Sequence, residues 1–210
     1  MDEVRRDLQE YFRQNMGTYI FITALFSGGV LAGAAVLRGL GAEEQFLLNR
    51  YFGYFIESFN ETGVIDQGAV FRQALILNFQ YLFLTWFMGI FLFGFPVIAG
   101  LVGLRGFSLG FTVGFLVQRA SLRGVLFAAG SILPHNLIMV PALIAAGVTG
   151  FSFSWLRLRC YLEKRPCSIK EHLGPYSMMF LLVGLLLAAA VLVEAYISPV
   201  FIKLLIPVIR

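Results

Sequence analysis

The chain has 210 residues, 59% hydrophobic and 13% charged, with 16 Lys and Arg against 12 Asp and Glu and a net charge of +4. Ordinary soluble domains carry about a quarter charged residues, so this composition excludes a soluble globular protein and indicates a polytopic membrane protein. The small basic excess sits beside apolar segments rather than in one tract, which points to membrane orientation and away from nucleic acid.

Charged residues fence the apolar segments. Residues 14–37 are uncharged between Arg13 and Arg38, which gives a first span near 18–37. A signal peptide is the competing reading, helped by Ala32, Gly33 and Ala34. Against it stand the acidic start (Asp2, Glu3, Asp7, Glu10) and the full-span apolar length.

The loop that follows, 38–73, is patterned. From Glu44 to Phe59, Leu47, Tyr51, Phe55 and Phe59 recur every four positions, with Leu48, Phe52 and Tyr54 widening the face. Such an aromatic helix lies on the membrane surface or docks a partner. Asn60, Glu61 and Thr62 match a glycosylation sequon by form alone.

A second span is expected near 74–95, ending where Gly94, Phe95 and Pro96 interrupt the next uncharged run. The third, near 97–118, then holds Arg105. Gly106, Gly110 and Gly114 fall on one face of it and invite close approach by another backbone, either the second or fourth span or a second copy across a dimer seam. Phe107, Phe111 and Phe115 form a stripe beside them. An alternative folds 106–133 into a re-entrant hairpin.

Between Arg123 and Arg157 run 33 residues without a formal charge. This gives a fourth span near 124–156, broken or kinked by Pro134 and Pro141. A fifth, near 177–202, contains Glu194. The whole of 1–210 therefore reads as a single integral membrane domain, all-α, with about five transmembrane helices. The loop 157–176 carries Arg157, Arg159, Lys164, Arg165 and Lys170, the densest basic cluster, and is expected in the cytoplasm. The N-terminus is then inside and the C-terminus outside. Cys160 and Cys167 fall in that loop, where thiols stay reduced.

Ionisable residues within spans are functional candidates by default. Arg105 and Glu194 differ in expected depth by about 13 Å, too far for a direct pair, which leaves Arg105 to snorkel or to line a cavity. His135 and Glu194 lie at similar depths, about 16 and 12 Å from the outer side, so His135, Asn136 and Glu194 are expected to form an intramembrane polar cluster.

Catalysis has little to work with. Ser131 and His135 can share a helical face, but Ile132 follows Ser131 where a nucleophile motif would place glycine. His135 and His172 stand in different segments, no HExxH pattern occurs, and no GxxxxGK loop is present. The expectation is a non-enzymatic protein with no catalytic residue, metal or cofactor.

Three motifs in order carry a resemblance: Gly110-Phe111-Thr112-Val113-Gly114-Phe115-Leu116, then Leu133-Pro134-His135-Asn136 with Pro141 and Ala142, then Glu194-Ala195-Tyr196-Ile197-Ser198-Pro199. Over essentially the whole chain this resembles the stage II sporulation protein M family. The broader family often has Pro-His-Gly in the fourth span with a glutamate three residues on. Here Asn136 and Met139 stand at those positions, which fits the sporulation branch. The resemblance implies a scaffold in the mother-cell membrane at the sporulation septum. It would act with stage II sporulation proteins D and P, a lytic transglycosylase and an amidase that thin septal peptidoglycan during engulfment. The segment 44–59 is the first candidate for docking them. A transporter or permease subunit moving a small solute is the alternative, suggested by the interrupted fourth span and the two intramembrane charges.

Overall fold

Five helices of the computed structural model are long and apolar enough to cross a membrane: Asn15–Gly39, Gln67–Ile90, Gly94–Arg119, Leu133–Leu162 and His172–Tyr196. The structure describes residues 2–62, 67–164 and 169–197, and among them no strand occurs. In chain order the elements are α1 (Asp2–Val36), a tight turn at Leu37–Gly39, α2 (Ala42–Thr62), α3 (Gln67–Ile90), α4 (Gly94–Ser131), α5 (Leu133–Leu162), α6 (Ile169–Leu192) and a widened turn at Val193–Ile197. The expected all-α, five-span plan is what forms, with α2 as the sixth helix.

Helix directions follow from the pairs in contact. Gly106, Gly110 and Gly114 of α4 meet Phe26, Val30 and Ala34 of α1, so these two run parallel. Gly147 and Gly150 of α5 meet Val102 and Ile98, so α4 and α5 run antiparallel. Trp86 bonds to Ser177 and Leu82 faces Gly184, which sets α3 against α6. The start of α1 and the end of α6 accordingly lie at opposite ends of the bundle.

Helix α5 is the keystone. Its span is 56% buried, against 39% or less for the other four. One side joins Leu82 of α3 and Tyr176, Phe180, Val183 and Leu187 of α6 through Met139, Leu143, Ala146 and Phe153. On the other side Val148 packs with Ile22, Phe26 and Val102 of α1 and α4. Small residues Ala142, Ala146, Gly147 and Gly150 let it touch both groups at once.

The break between the second and third spans is held by one hydroxyl. Ser154, fully buried on α5, donates to the Phe91 carbonyl at 2.8 Å and accepts from the Phe95 N–H at 3.0 Å. Gly94 fits there because a Cβ would strike the Met88 carbonyl, and Pro96 falls in the first turn of α4, where its missing donor costs nothing. Ser154→Ala is expected to lower stability by about 1–2 kcal/mol, since it strips the Phe95 N–H of its partner. Reversible unfolding in mixed micelles checks this; an unchanged midpoint would contradict it.

Several sequence expectations shift. The second span starts at Gln67 rather than near 74 and ends at Ile90, so the polar residues before Ala74 continue the helix. The break expected at Pro134 is present as the turn at Ile132, and Pro134 sits in the first turn of α5, while 124–131 prolongs α4. Thr112 and Ile132 line one cavity, yet a straight helix would hold them about 30 Å apart. The chain between Thr112 and Ile132 therefore does not run straight, and within 94–131 the segment Gly94–Arg119 is long and apolar enough to cross a membrane. Cys160 is disulfide-bonded, which corrects the expectation of a reduced thiol. Cys167, Arg165 and the end of the fifth span, 198–202, lie outside the described residues.

Candidate functional site: an intramembrane polar cavity

A cavity of about 330 Å³ opens among α3, α4, α5 and the widened turn after α6. Asn78, Arg105, Ser108, Thr112, His135, Asn136 and Glu194 supply its polar lining, and Phe26, Leu77, Leu109, Val140 and Leu143 are among its apolar walls. The structure thus brings the three expected cluster residues to one place together with Arg105.

Its internal bonding differs from a simple knot. Asn136 Nδ2 donates to the Ile132 carbonyl at 2.8 Å and lies 3.0 Å from His135 Nε2. These bonds tie the first turn of α5 to the break before it. Glu194 makes no hydrogen bond to either residue among those described; its carboxylate shares the cavity with the Arg105 guanidinium, whose charge acts on it through space.

Arg105 does not snorkel. Its Nη2 donates to Asn78 Oδ1 at 2.6 Å and approaches Met139 Sδ at 3.4 Å, while the guanidinium carbon sits 5.7 Å from the centre of the Tyr81 ring. Asn78, 3% exposed, also donates from Nδ2 to the Ala74 carbonyl at 2.8 Å, so its amide is engaged at both ends. Charge-assisted bonds of this kind are about twice as strong as neutral ones and keep the charge in place. The Met139 sulfur faces the guanidinium.

Glu194 is carried on a widened helical turn, Val193–Ile197. Widened turns of this type recur at functional sites because they re-aim one side chain. Pro199 stands five residues on in sequence and has no N–H with which to continue a helical ladder.

The glycine seam is occupied within the chain. A Cβ at Gly106 or Gly110 would fall on the Phe26 or Val30 carbonyl, and one at Gly114 on Leu37 and Ala34. From the other side, Gly29 and Gly33 of α1 meet the Gly103 and Phe107 carbonyls. The stripe faces the first span, which corrects the expected second or fourth span and the dimer seam. The reason is that α1 offers a matching pair of glycines, so two smooth backbones can meet.

The segment 44–59 lies in α2, as the periodicity indicated. Its exposed face includes Phe46, Leu47, Tyr51 and Tyr54, with Tyr51 at 72% exposure. The side chains of Phe52, Phe55 and Phe59, and that of Ser131, lie outside the described set. Arg119 of α4 ties α2 to the bundle by donating to the Asn49 backbone oxygen at 3.1 Å and side-chain oxygen at 2.7 Å. Glu43 and Glu44 in the first turn suit the positive end of the helix.

The family model for stage II sporulation protein M matches residues 22–199. The chain belongs to the stage II sporulation protein M family. The match covers most of the first span, the whole of the other four, the cavity and the glycine seam, and it makes this a sporulation-related membrane protein. No curated protein and no solved structure matched the chain.

Proposed function

We propose that this member of the stage II sporulation protein M family is a non-enzymatic membrane scaffold for endospore formation. It anchors septal peptidoglycan hydrolases, the stage II sporulation proteins D and P, in the mother-cell membrane during engulfment. One observation carries the reading: α2 holds Phe46, Leu47, Tyr51 and Tyr54 exposed on a helix set apart from the packed spans and pinned through Arg119. Aromatic anchors on a positioned helix are the usual material of a docking face.

A permease reading draws on the polar cavity. Against it, the polar lining does not continue toward the end of the bundle formed by the α3–α4 turn. Ile22, Val102 and Val148 pack there, and Thr85 and Thr149 turn their hydroxyls back to the Tyr81 and Ala145 carbonyls.

The scaffold reading needs α2 on the outer face. The basic residues of 157–164 and the family plan favour this; the disulfide at Cys160, at the opposite end of the bundle, weighs against it, because disulfides persist in oxidising compartments. A cysteine placed at Tyr51 in a background lacking Cys160 and Cys167 is expected to react with an impermeant maleimide added to intact cells. Labelling only after lysis would place α2 in the cytoplasm and remove the docking role. In the same cells, a photo-crosslinking residue at Leu47 is expected to capture a peptidoglycan hydrolase, and one at Leu185 on the exposed face of α6 is not.

A further inference from the structure

Arg105 and Glu194 line one cavity within the spans, and no ion pair joins them among the described residues. Arg105 directs Nη2 to Asn78 and Met139, and its other guanidinium nitrogens have no protein acceptor there. Glu194 accepts no hydrogen bond from the described residues. Each charge carries a desolvation cost that the other does not offset by contact. A cation alone would leave the guanidinium unmatched, and an anion alone would leave the carboxylate.

We propose that this cavity binds a small zwitterionic group, its ammonium held by Glu194 and its oxyanion by Arg105. The volume of about 330 Å³ falls at the small end of ligand pockets, which start at about 300 Å³. Hydroxyls of Ser108 and Thr112 and the amide of Asn136 add neutral polar contacts. Leu77, Ser108 and Thr112 are exposed, so the mouth opens sideways between α3 and α4 at the level of the spans. Both a free solute and the head group of a zwitterionic lipid present the same chemistry to it.

The test uses the purified full chain and two probes. Calorimetric titration with O-phosphoethanolamine in detergent is expected to show saturable binding, weakened about tenfold or more by Glu194→Gln, which removes one charge-assisted bond. Ser108→Phe, at the exposed rim, plugs the mouth and leaves both charges, and it is expected to weaken binding equally. In a second arm the chain is reconstituted with phosphatidylethanolamine or with phosphatidylglycerol, and retained lipid is counted by native mass spectrometry. Retention of phosphatidylethanolamine, lost in both variants, identifies a lipid head group; binding of the free probe whatever the lipid identifies a solute. The proposal is overturned if neither probe binds, if both variants bind as the wild type does, or if inorganic phosphate binds as tightly as phosphoethanolamine. None of these outcomes touches hydrolase docking on α2.

Discussion

Gly110→Val is expected to destabilise the bundle by about 3 kcal/mol or more, at the upper end of what overpacking costs. The Cβ of any residue there would fall on the Val30 carbonyl of α1, and a backbone oxygen cannot swing aside as a side chain does. Separation of α1 from α4 would also loosen Ile22 and Phe26 from Val102 and Val148. Gly100→Ala is the control on the same helix. Nothing lies within 4 Å of a Cβ at that position, so the change is expected to be neutral or to add a few tenths of a kcal/mol through helix propensity. Gly28 and Gly29 of α1 offer the same contrast one residue apart, open at the first and pressed on the Gly103 carbonyl at the second. Unfolding of the purified chain in a detergent titration measures all four. A Gly110→Val protein as stable as the wild type would mean that the two spans do not meet along this face.

Removing Asn78 is expected to cost more than removing both Asn78 and Arg105. Asn78→Leu leaves the half-buried guanidinium without its 2.6 Å acceptor, a loss of about 2–3 kcal/mol for a hydrogen bond to a charged group. Arg105→Met leaves an amide that keeps its bond to the Ala74 carbonyl at 2.8 Å, so the penalty is expected to be smaller. In the double variant Leu and Met pack against Met139 and Leu143, and its loss is expected to fall below the sum of the singles. The double-mutant cycle isolates that coupling. Simple additivity would show that Asn78 does not hold Arg105.

Much of this architecture was legible in residue order, because charge fences and apolar run length are dictated by the bilayer itself. The edges were less so. Helix propensity carries α3 back to Gln67 through polar residues, and an apolar run alone does not see them. The Gly106, Gly110 and Gly114 stripe announced a close helix contact, but its partner is fixed by three-dimensional neighbourhood. The clue that was present, Gly29 and Gly33 at the same spacing in the first span, pointed to α1. Counting depths set Arg105 and Glu194 about 13 Å apart, yet a long side chain and a widened turn bring both to one cavity. Asn78 as the acceptor for Arg105 was hidden, since one amide in an apolar helix has many candidate partners. The disulfide at Cys160 was missed because compartment was inferred from basic residues alone.

The most direct measurement for the scaffold role is recovery of partners from sporulating cells with the tagged full chain and with a variant carrying serine at Leu47, Tyr51 and Phe55. Peptidoglycan hydrolases are expected to come down with the wild type and to be lost with the variant at equal membrane abundance. Recovery of the same hydrolases by both proteins, or by neither, would contradict docking on α2.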